Sequence, residues 1–377
     1  MHGSTPGNLR PRPSIRYKRH IDTSDSLASG FQNRNVVVTG GLGFIGSNLA
    51  LRLARAGAHV TVIDSAVAGC GANPYNLAPA SRDIRVISGD IAHADRFAGA
   101  LLSAEVIFNL AGEISHIHSM QQPWRDAALN AMAHLRFLDE CARRAPGIRV
   151  VYAGTRQIFG APKYLPVDES HPVRPVDFNG IHKYAAAEYH LLYSAMGRVD
   201  AVVLNLTNVY GPRLALNIPC QGFLASFFRR ALFGQTIEIF GDGRQLRDPV
   251  FIDDVTGAFL LAGAARAPES RFLNVGGAQP LPLARIAEIV AASASAPAPV
   301  LRPFPEDRKR IDIGSYATNS NRIAQVLGWK PATPFADGVR ATLEFFRAEF
   351  PHYLRPEDVR PTCPLESAHA PQPVAVS

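Results

Sequence analysis

Residues 36–53 read VVVTGGLGFIGSNLALRL, and the reading of this stretch decides the fold. A β-branched run, a glycine pattern and then apolar residues at helical spacing describe a strand that turns directly into a helix. Gly40 permits the tight turn, Gly43 lets backbone approach a pyrophosphate, and Gly46 lets the helix pack closely on the strand. The helix start, with Phe44 and Ile45, offers amides and a positive dipole end to phosphate oxygens. Asp64 closes the next strand-like run, HVTVID, where a carboxylate accepts from the adenosine ribose hydroxyls. A carboxylate there repels a 2′-phosphate, so the expected cofactor is NAD. Asp90 and Ile91 after VISG, and Leu110, Ala111 and Gly112 in FNLAG, end later strands on the same edge. They are expected to contact adenine and line the cofactor; their other reading is ordinary strand termination.

Outward from this point, short β-branched runs alternate with helical patterns as far as AVVLNL at 201–206. That spacing means βαβ units, a parallel sheet and right-handed crossovers. The expected fold is α/β: a doubly wound (Rossmann) parallel sheet with a smaller C-terminal substrate lobe. Residues 34–211 are assigned to the Rossmann domain. Residues 212–350 are assigned mainly to the lobe, with FLNVGG at 272–277 returning to the sheet. IEIFGDGRQ at 237–245 reads as a hairpin-like strand with a glycine turn. Residues 1–33 read as a disordered basic tail and 351–377 as a flexible C-terminal tail.

The formal charge of +7 does not imply nucleic acid, because Arg10, Arg12, Arg16, Lys18 and Arg19 concentrate the excess in the first twenty residues. That stretch has no apolar core and is not a secretory signal. Cys70, Cys141, Cys220 and Cys363 are scattered, without a metal or disulfide spacing. No apolar run approaches the roughly 20 residues of a membrane span. A cytoplasmic protein with no metal, no membrane and no nucleic-acid partner is the expectation.

The chain resembles the NAD-dependent nucleotide-sugar epimerase/dehydratase family of extended short-chain dehydrogenases/reductases over roughly residues 35–345. Beside the glycine stretch, the ordered motifs are GDI, FNLAGEISHIHSMQQP, AGTRQIFG, NGIHK, NLTNVYGPR, GDGRQLRDPVFIDDV and NRIAQVLGWKP. The resemblance implies a tightly held NAD, a nucleoside-diphosphate sugar in the second lobe, and a homodimer formed through the two long helices after Trp124 and Lys183. It further implies a hydroxyl at Thr155 that bonds the reacting sugar oxygen and a lysine, Lys183, that binds the nicotinamide ribose. The family tyrosine belongs four residues before that lysine, and Asn179 stands there instead.

An amide exchanges no proton near neutral pH, so Asn179 cannot be the general base. Another group takes over, or Asn179 holds a water used by Lys183 or Thr155, or the protein binds without turnover. His182 lies on nearly the same helical face as Asn179 and titrates in a suitable range. His116 and His118, in the loop after the fourth strand, are further candidates; Tyr184 points about 100° away from Lys183. Ser119 and Pro123 match the family's spacing at the substrate. Asn208 and Arg247 occupy positions where the family grips the diphosphate, as guanidinium and amide chemistry allows, and Arg308 is a possible second clamp. The family's 4,6-dehydratases carry Asp-Glu directly after the catalytic threonine; Arg156 and Gln157 stand there. Arg156 suits a carboxylate or phosphate on the sugar, or is a solvated strand-end arginine. The expected activity is epimerisation at C4 by transient hydride transfer. The alternatives are a dehydratase or decarboxylase working through a 4-keto sugar, and a non-catalytic binding protein.

Overall fold

The computed structural model describes residues 27–218, 222–266, 268, 270–304 and 312–359. Seven strands form the main sheet: β1 (Asn35–Thr39), β2 (His59–Asp64), β3 (Ile84–Ser88), β4 (Val106–Asn109), β5 (Arg149–Thr155), β6 (Asp200–Leu206) and β7 (Phe272–Val275). Their order is β7-β6-β5-β4-β1-β2-β3 and every pairing is parallel. Helices cover both faces, so the central strands are apolar on both sides; all four residues of β4 are buried. At the edge, β3 buries Ile84 and leaves Arg85, Val86 and Ser88 exposed. The order reverses between β1 and β4, and an open α/β sheet forms its ligand crevice outside the carboxyl ends at such a reversal.

Helix α1 (Phe44–Arg55) follows β1 and buries Leu49, Ala50 and Leu53 against the sheet. Gly43 at its start supplies no side-chain cap. Its first-turn amides are therefore available to a ligand.

The smaller lobe has its own core, in which Leu224 and Phe228 of the helix Phe223–Leu232 meet Ile286 and Val290 of Leu283–Ala294 and Leu343 and Phe346 of Phe335–Ala348. As expected, 272–275 returns to the main sheet. The expected hairpin does not form. Glu238–Phe240 pairs in parallel with Val300–Arg302, and Leu246–Arg247 pairs antiparallel with Leu281–Pro282. The glycine turn between them is a local signal that cannot specify partners arriving 34 or more residues later.

The expected tail boundaries also move. Ala28 and Phe31 are fully buried, and the Phe31 ring lies 5.9 Å from Phe108 of β4. Folded structure thus begins before residue 34; residues 1–26 lie outside the described residues. At the other end Tyr353 and Leu354 are buried, and the Tyr353 hydroxyl donates to Asn76 Oδ1 at 2.7 Å. Phe31→Ala is expected to lower the unfolding free energy by about 3–5 kcal/mol, the usual cost of emptying an aromatic core site. A urea midpoint unchanged from wild type would place Phe31 outside the cooperative core.

One helix departs from its sequence reading. The run expected to be one continuous α-helix comprises Pro123–Ala127, a π turn at Ala128–Met132 and a regular stretch from Ala133–Arg144. Such turns are frequent at functional sites.

Candidate active site

The carboxyl ends of β1, β2, β4 and β5 open into one cleft, and every residue expected to hold the cofactor lines it, from Gly40 at one side to Lys183 at the other. The glycines are required by contact as well as by conformation. A Cβ on Gly40, whose φ is +66°, would sit 2.6 Å from the Leu110 carbonyl oxygen; one on Gly46 would sit 2.3 Å from that of Gly40. Asp64 is fixed by two backbone amides, Leu42 N–H to Oδ2 at 3.0 Å and Ala66 N–H to Oδ1 at 2.8 Å. Among the described residues, the lysine and arginine side chains lining the cleft are Arg156, directly after β5, and Lys183, on the helix Phe178–Ala195. None is placed at Asp64 to meet a 2′-phosphate. The cradle, the uncapped helix start and the lone carboxylate fit NAD.

Lys183 and Asn179 lie on α3 (Phe178–Ala195), and α2 (His116–Gln121) lies across the cleft wall from it. Lys183 is buried, and desolvation lowers its pKa to about 8 against the opposing pull of Asp126, Cys70 and Glu113. Its amine is near Gly112 and the π turn: a Cβ on Gly112 would lie 3.2 Å from Lys183 Nζ and 2.6 Å from Asn130 Oδ1. Thr155 ends β5 and lines the cleft, its Oγ1 accepting from the Gln157 amide at 3.3 Å.

Asn179 also lines the cleft, but its amide is committed to structure. Nδ2 donates to the Glu113 carbonyl and to Asp126 Oδ2, both at 3.0 Å. The expectation for His182 is corrected. Its Nδ1 lies 2.7 Å from Asp126 Oδ1, its ring stacks beside Phe178, and it is not on the cleft wall. Asp126, itself buried, thus ties both residues to the helix Pro123–Ala127.

A different histidine reaches the cleft. His116 lines it, with Nδ1 3.0 Å from Asp177 Oδ2 and with the Gln157 amide nitrogen 2.8 Å from Nε2 and 3.0 Å from Nδ1. Asp177 is the N-cap of α3, its other oxygen accepting from Gly180 N–H at 2.7 Å. Burial pushes the Asp177 carboxyl up, but the His116 hydrogen bond and charge, the Gly180 amide and Arg156 together hold it below the usual range. Neither Asp177 nor Gln157 was anticipated as a site residue; the one legible signal was an aspartate three before Gly180 at a helix start.

At the substrate end, Arg156 and Asn208 line the cleft. Arg156 stacks 4.8 Å from the Tyr316 ring centroid, and burial lowers its pKa. Its Nη1 and the Asn208 Oδ1 are buried without a partner among the described residues, which suits groups that await a polar ligand. Asp248 is likewise buried, which raises its carboxyl to about 6 although Thr318 and Arg156 favour the anion. Two expectations fail here. Arg247 is off the cleft wall and donates to the carbonyls of Leu246 at 2.8 Å and Gly314 at 2.6 Å; Ser119 is buried, its hydroxyl donating to the His116 carbonyl at 2.7 Å. In this structure both side chains are held by protein groups, Arg247 also lying 3.4 Å from Asp312 Oδ1. Arg308 lies outside the described residues.

Beneath the cleft floor is a polar layer that sequence reading missed. The buried Asn109 amide donates to His134 Nδ1 at 3.0 Å and His190 Nε2 at 3.1 Å, while its oxygen accepts from Thr39 Oγ1 at 2.7 Å. Burial keeps both imidazoles neutral, lowering His190 to about 4.

Residues 36–276 match the NAD dependent epimerase/dehydratase family. A UDP-glucose 4-epimerase of Mycolicibacterium smegmatis is 35% identical over 315 residues, covering 82% of this chain and 98% of the relative. Among solved structures, a UDP-glucose 4-epimerase from Thermotoga maritima, determined with UDP-glucose, superimposes with a TM-score of 0.75 at 27% identity, covering 84% of this chain and 99% of that one. A dTDP-glucose 4,6-dehydratase from Streptomyces venezuelae, determined with NAD bound, gives 0.74 at 25% identity, covering 84% and 98%.

Proposed function

The chain belongs to the NAD-dependent epimerase/dehydratase family, and from that premise we propose that it is an epimerase that inverts a carbon, C4 by preference, of a nucleoside-diphosphate sugar. NAD, when held by the Gly40–Gly46 turn, Asp64 and Lys183, would supply a reversible hydride acceptor for the sugar carbon. The chain's own residues account for the rest. Thr155, at the end of β5, hydrogen-bonds the reacting sugar oxygen. Lys183 binds the nicotinamide ribose, and its positive charge favours the developing alkoxide. Arg156 and Asn208 hold polar groups of the sugar nucleotide.

The observation that carries epimerisation over elimination is the pair of residues after Thr155. Elimination of a sugar hydroxyl needs a base at the neighbouring carbon and an acid for the leaving oxygen. Arg156 and Gln157 supply neither, the one being a stacked cation and the other an amide. A second reading, decarboxylation of a nucleotide uronate through the same ketone, is favoured by the unpartnered Arg156 Nη1, which suits a carboxylate. A homodimer through the two long helices is supported by exposed apolar side chains on them: Trp124, 85% exposed, with Met132, Leu192 and Met196.

The test is incubation with UDP- and dTDP-hexoses and UDP-glucuronic acid in D2O, read by NMR and mass spectrometry. An epimer of unchanged mass with no deuterium at the inverted carbon is expected, because the hydride returns internally. Loss of carbon dioxide establishes the second reading, and loss of water a dehydratase. Recovery of every sugar unaltered by a protein that retains NAD makes it a binding protein.

A further inference from the structure

The reaction proposed above moves a proton as well as a hydride, and the residue at the family's tyrosine position cannot move it. Asn179 is an amide with both N–H bonds directed into the protein. His182 is turned away on Asp126. Among the described residues, the cleft wall that carries Thr155 and Lys183 also carries an imidazole, that of His116. The geometry points to His116 as the acid–base residue of this enzyme, with Asp177 as the residue that positions it, an assignment that rests on the sugar-nucleotide reading.

Three observations carry it. His116 is about one-third exposed, at 36% for its side chain, whereas Asp177 is 1% exposed, so the imidazole faces the cleft and the carboxylate lies behind it. The buried Asp177 carboxylate, with Oδ2 3.0 Å from Nδ1, favours a proton on Nδ1 and leaves Nε2 as the basic nitrogen. The Gln157 amide nitrogen lies 2.8 Å from Nε2 and 3.0 Å from Nδ1, and the same residue gives its backbone N–H to Thr155 Oγ1. Gln157 thereby links the imidazole to Thr155, the residue whose hydroxyl orients the reacting oxygen.

The steps balance without a further reagent. When hydride leaves the carbinol carbon for NAD, the hydroxyl proton passes to His116 Nε2, and a carbonyl and an imidazolium result. The imidazolium is stabilised by the Asp177 carboxylate. After the ketone turns its other face, hydride returns to carbon, the carbonyl oxygen recovers the proton from Nε2, and imidazole is regenerated. The Gln157 amide must swing off Nε2 when the sugar hydroxyl arrives. Asp177 performs two tasks with its two oxygens, since it also starts the helix that bears Asn179 and Lys183.

The test compares full-length, NAD-loaded wild type, His116→Ala and Asp177→Asn, using the nucleotide sugar that wild type converts. His116→Ala is expected to lower kcat by about 10²–10⁴-fold, to leave affinity for that sugar nucleotide by calorimetry within about threefold, and to regain part of its rate when imidazole is added. Asp177→Asn keeps an oxygen for the Gly180 amide, but its NH2 donates to Nδ1 and moves the ring proton to Nε2. A comparable loss of kcat with unchanged KM is expected, along with a changed tautomer in the ¹⁵N NMR shifts of His116, a readout that needs no turnover. If His116→Ala turns over within tenfold of wild type, the assignment is overturned and the epimerase reading stands. If wild type converts no sugar in the panel and reduces no bound NAD, the reading itself is lost and the assignment with it.

Discussion

Lys183→Met is expected to lower turnover by about 10³-fold or more, since the proposed mechanism gives this buried cation of the cleft both the cofactor contact and the stabilisation of the alkoxide. Methionine keeps the length and apolar stem and removes only the ammonium. The same variant reports on the cost of that charge. An unfolded lysine holds its proton to about pH 10.4, whereas buried Lys183 releases it near 8. Between these values the unfolded chain binds more protons than the folded one, so wild-type stability rises with pH relative to Lys183→Met. The gain is on the order of 1–3 kcal/mol across the window and is absent below pH 8. Urea titrations of NAD-stripped protein between about pH 7.5 and 9.5 measure it. A stability difference that stays flat with pH would mean the amine titrates as in water, and a variant with wild-type turnover would remove Lys183 from the mechanism.

Gly46→Ala is the second large effect. Its new Cβ would meet Gly40 O at 2.3 Å, with Gly40 C and Gly41 Cα at 2.9 Å, and all three are backbone atoms that no rotamer change can withdraw. Helix α1 must therefore lift from the β1 turn, which moves its first-turn amides away from the pyrophosphate. Bound NAD in the purified protein is expected to fall by about 100-fold in affinity, roughly 3 kcal/mol. Full cofactor occupancy by absorbance and calorimetry would show that the turn can relax without loss.

The cofactor half was legible in the sequence because its signals are local. β-branched runs, a glycine turn and a helix occupy eighteen consecutive residues at 36–53, and the strand ends that complete the cleft follow from the parallel order. The proton-transfer half was not. His116 and Asp177 meet only because α2 crosses the start of α3, so no spacing could reveal the pair. His182 was favoured because helical periodicity puts it near Asn179. Periodicity gives angles within a helix, not which side faces solvent, cleft or a neighbouring carboxylate, and Asp126 decided that. Arg247 failed for a similar reason: an arginine reads as an anion clamp until the fold supplies carbonyls, here those of Leu246 and Gly314, that occupy it.

The π turn at Ala128–Met132 has a consequence for how the molecule tolerates change in chain length. A five-residue turn puts the two arms of the helix out of phase by about one residue's rotation, roughly 100°. Asp126 sits on the first arm, where it holds Asn179 and His182; Phe137 and Leu138 sit on the second, locked into the sheet core. Removing a single residue from the turn would restore a regular helix while swinging Asp126 away from its two partners, with the core arm undisturbed. The turn thus acts as a phase adjuster in which the register of the site is set separately from that of the scaffold, and insertions or deletions there retune one without dismantling the other.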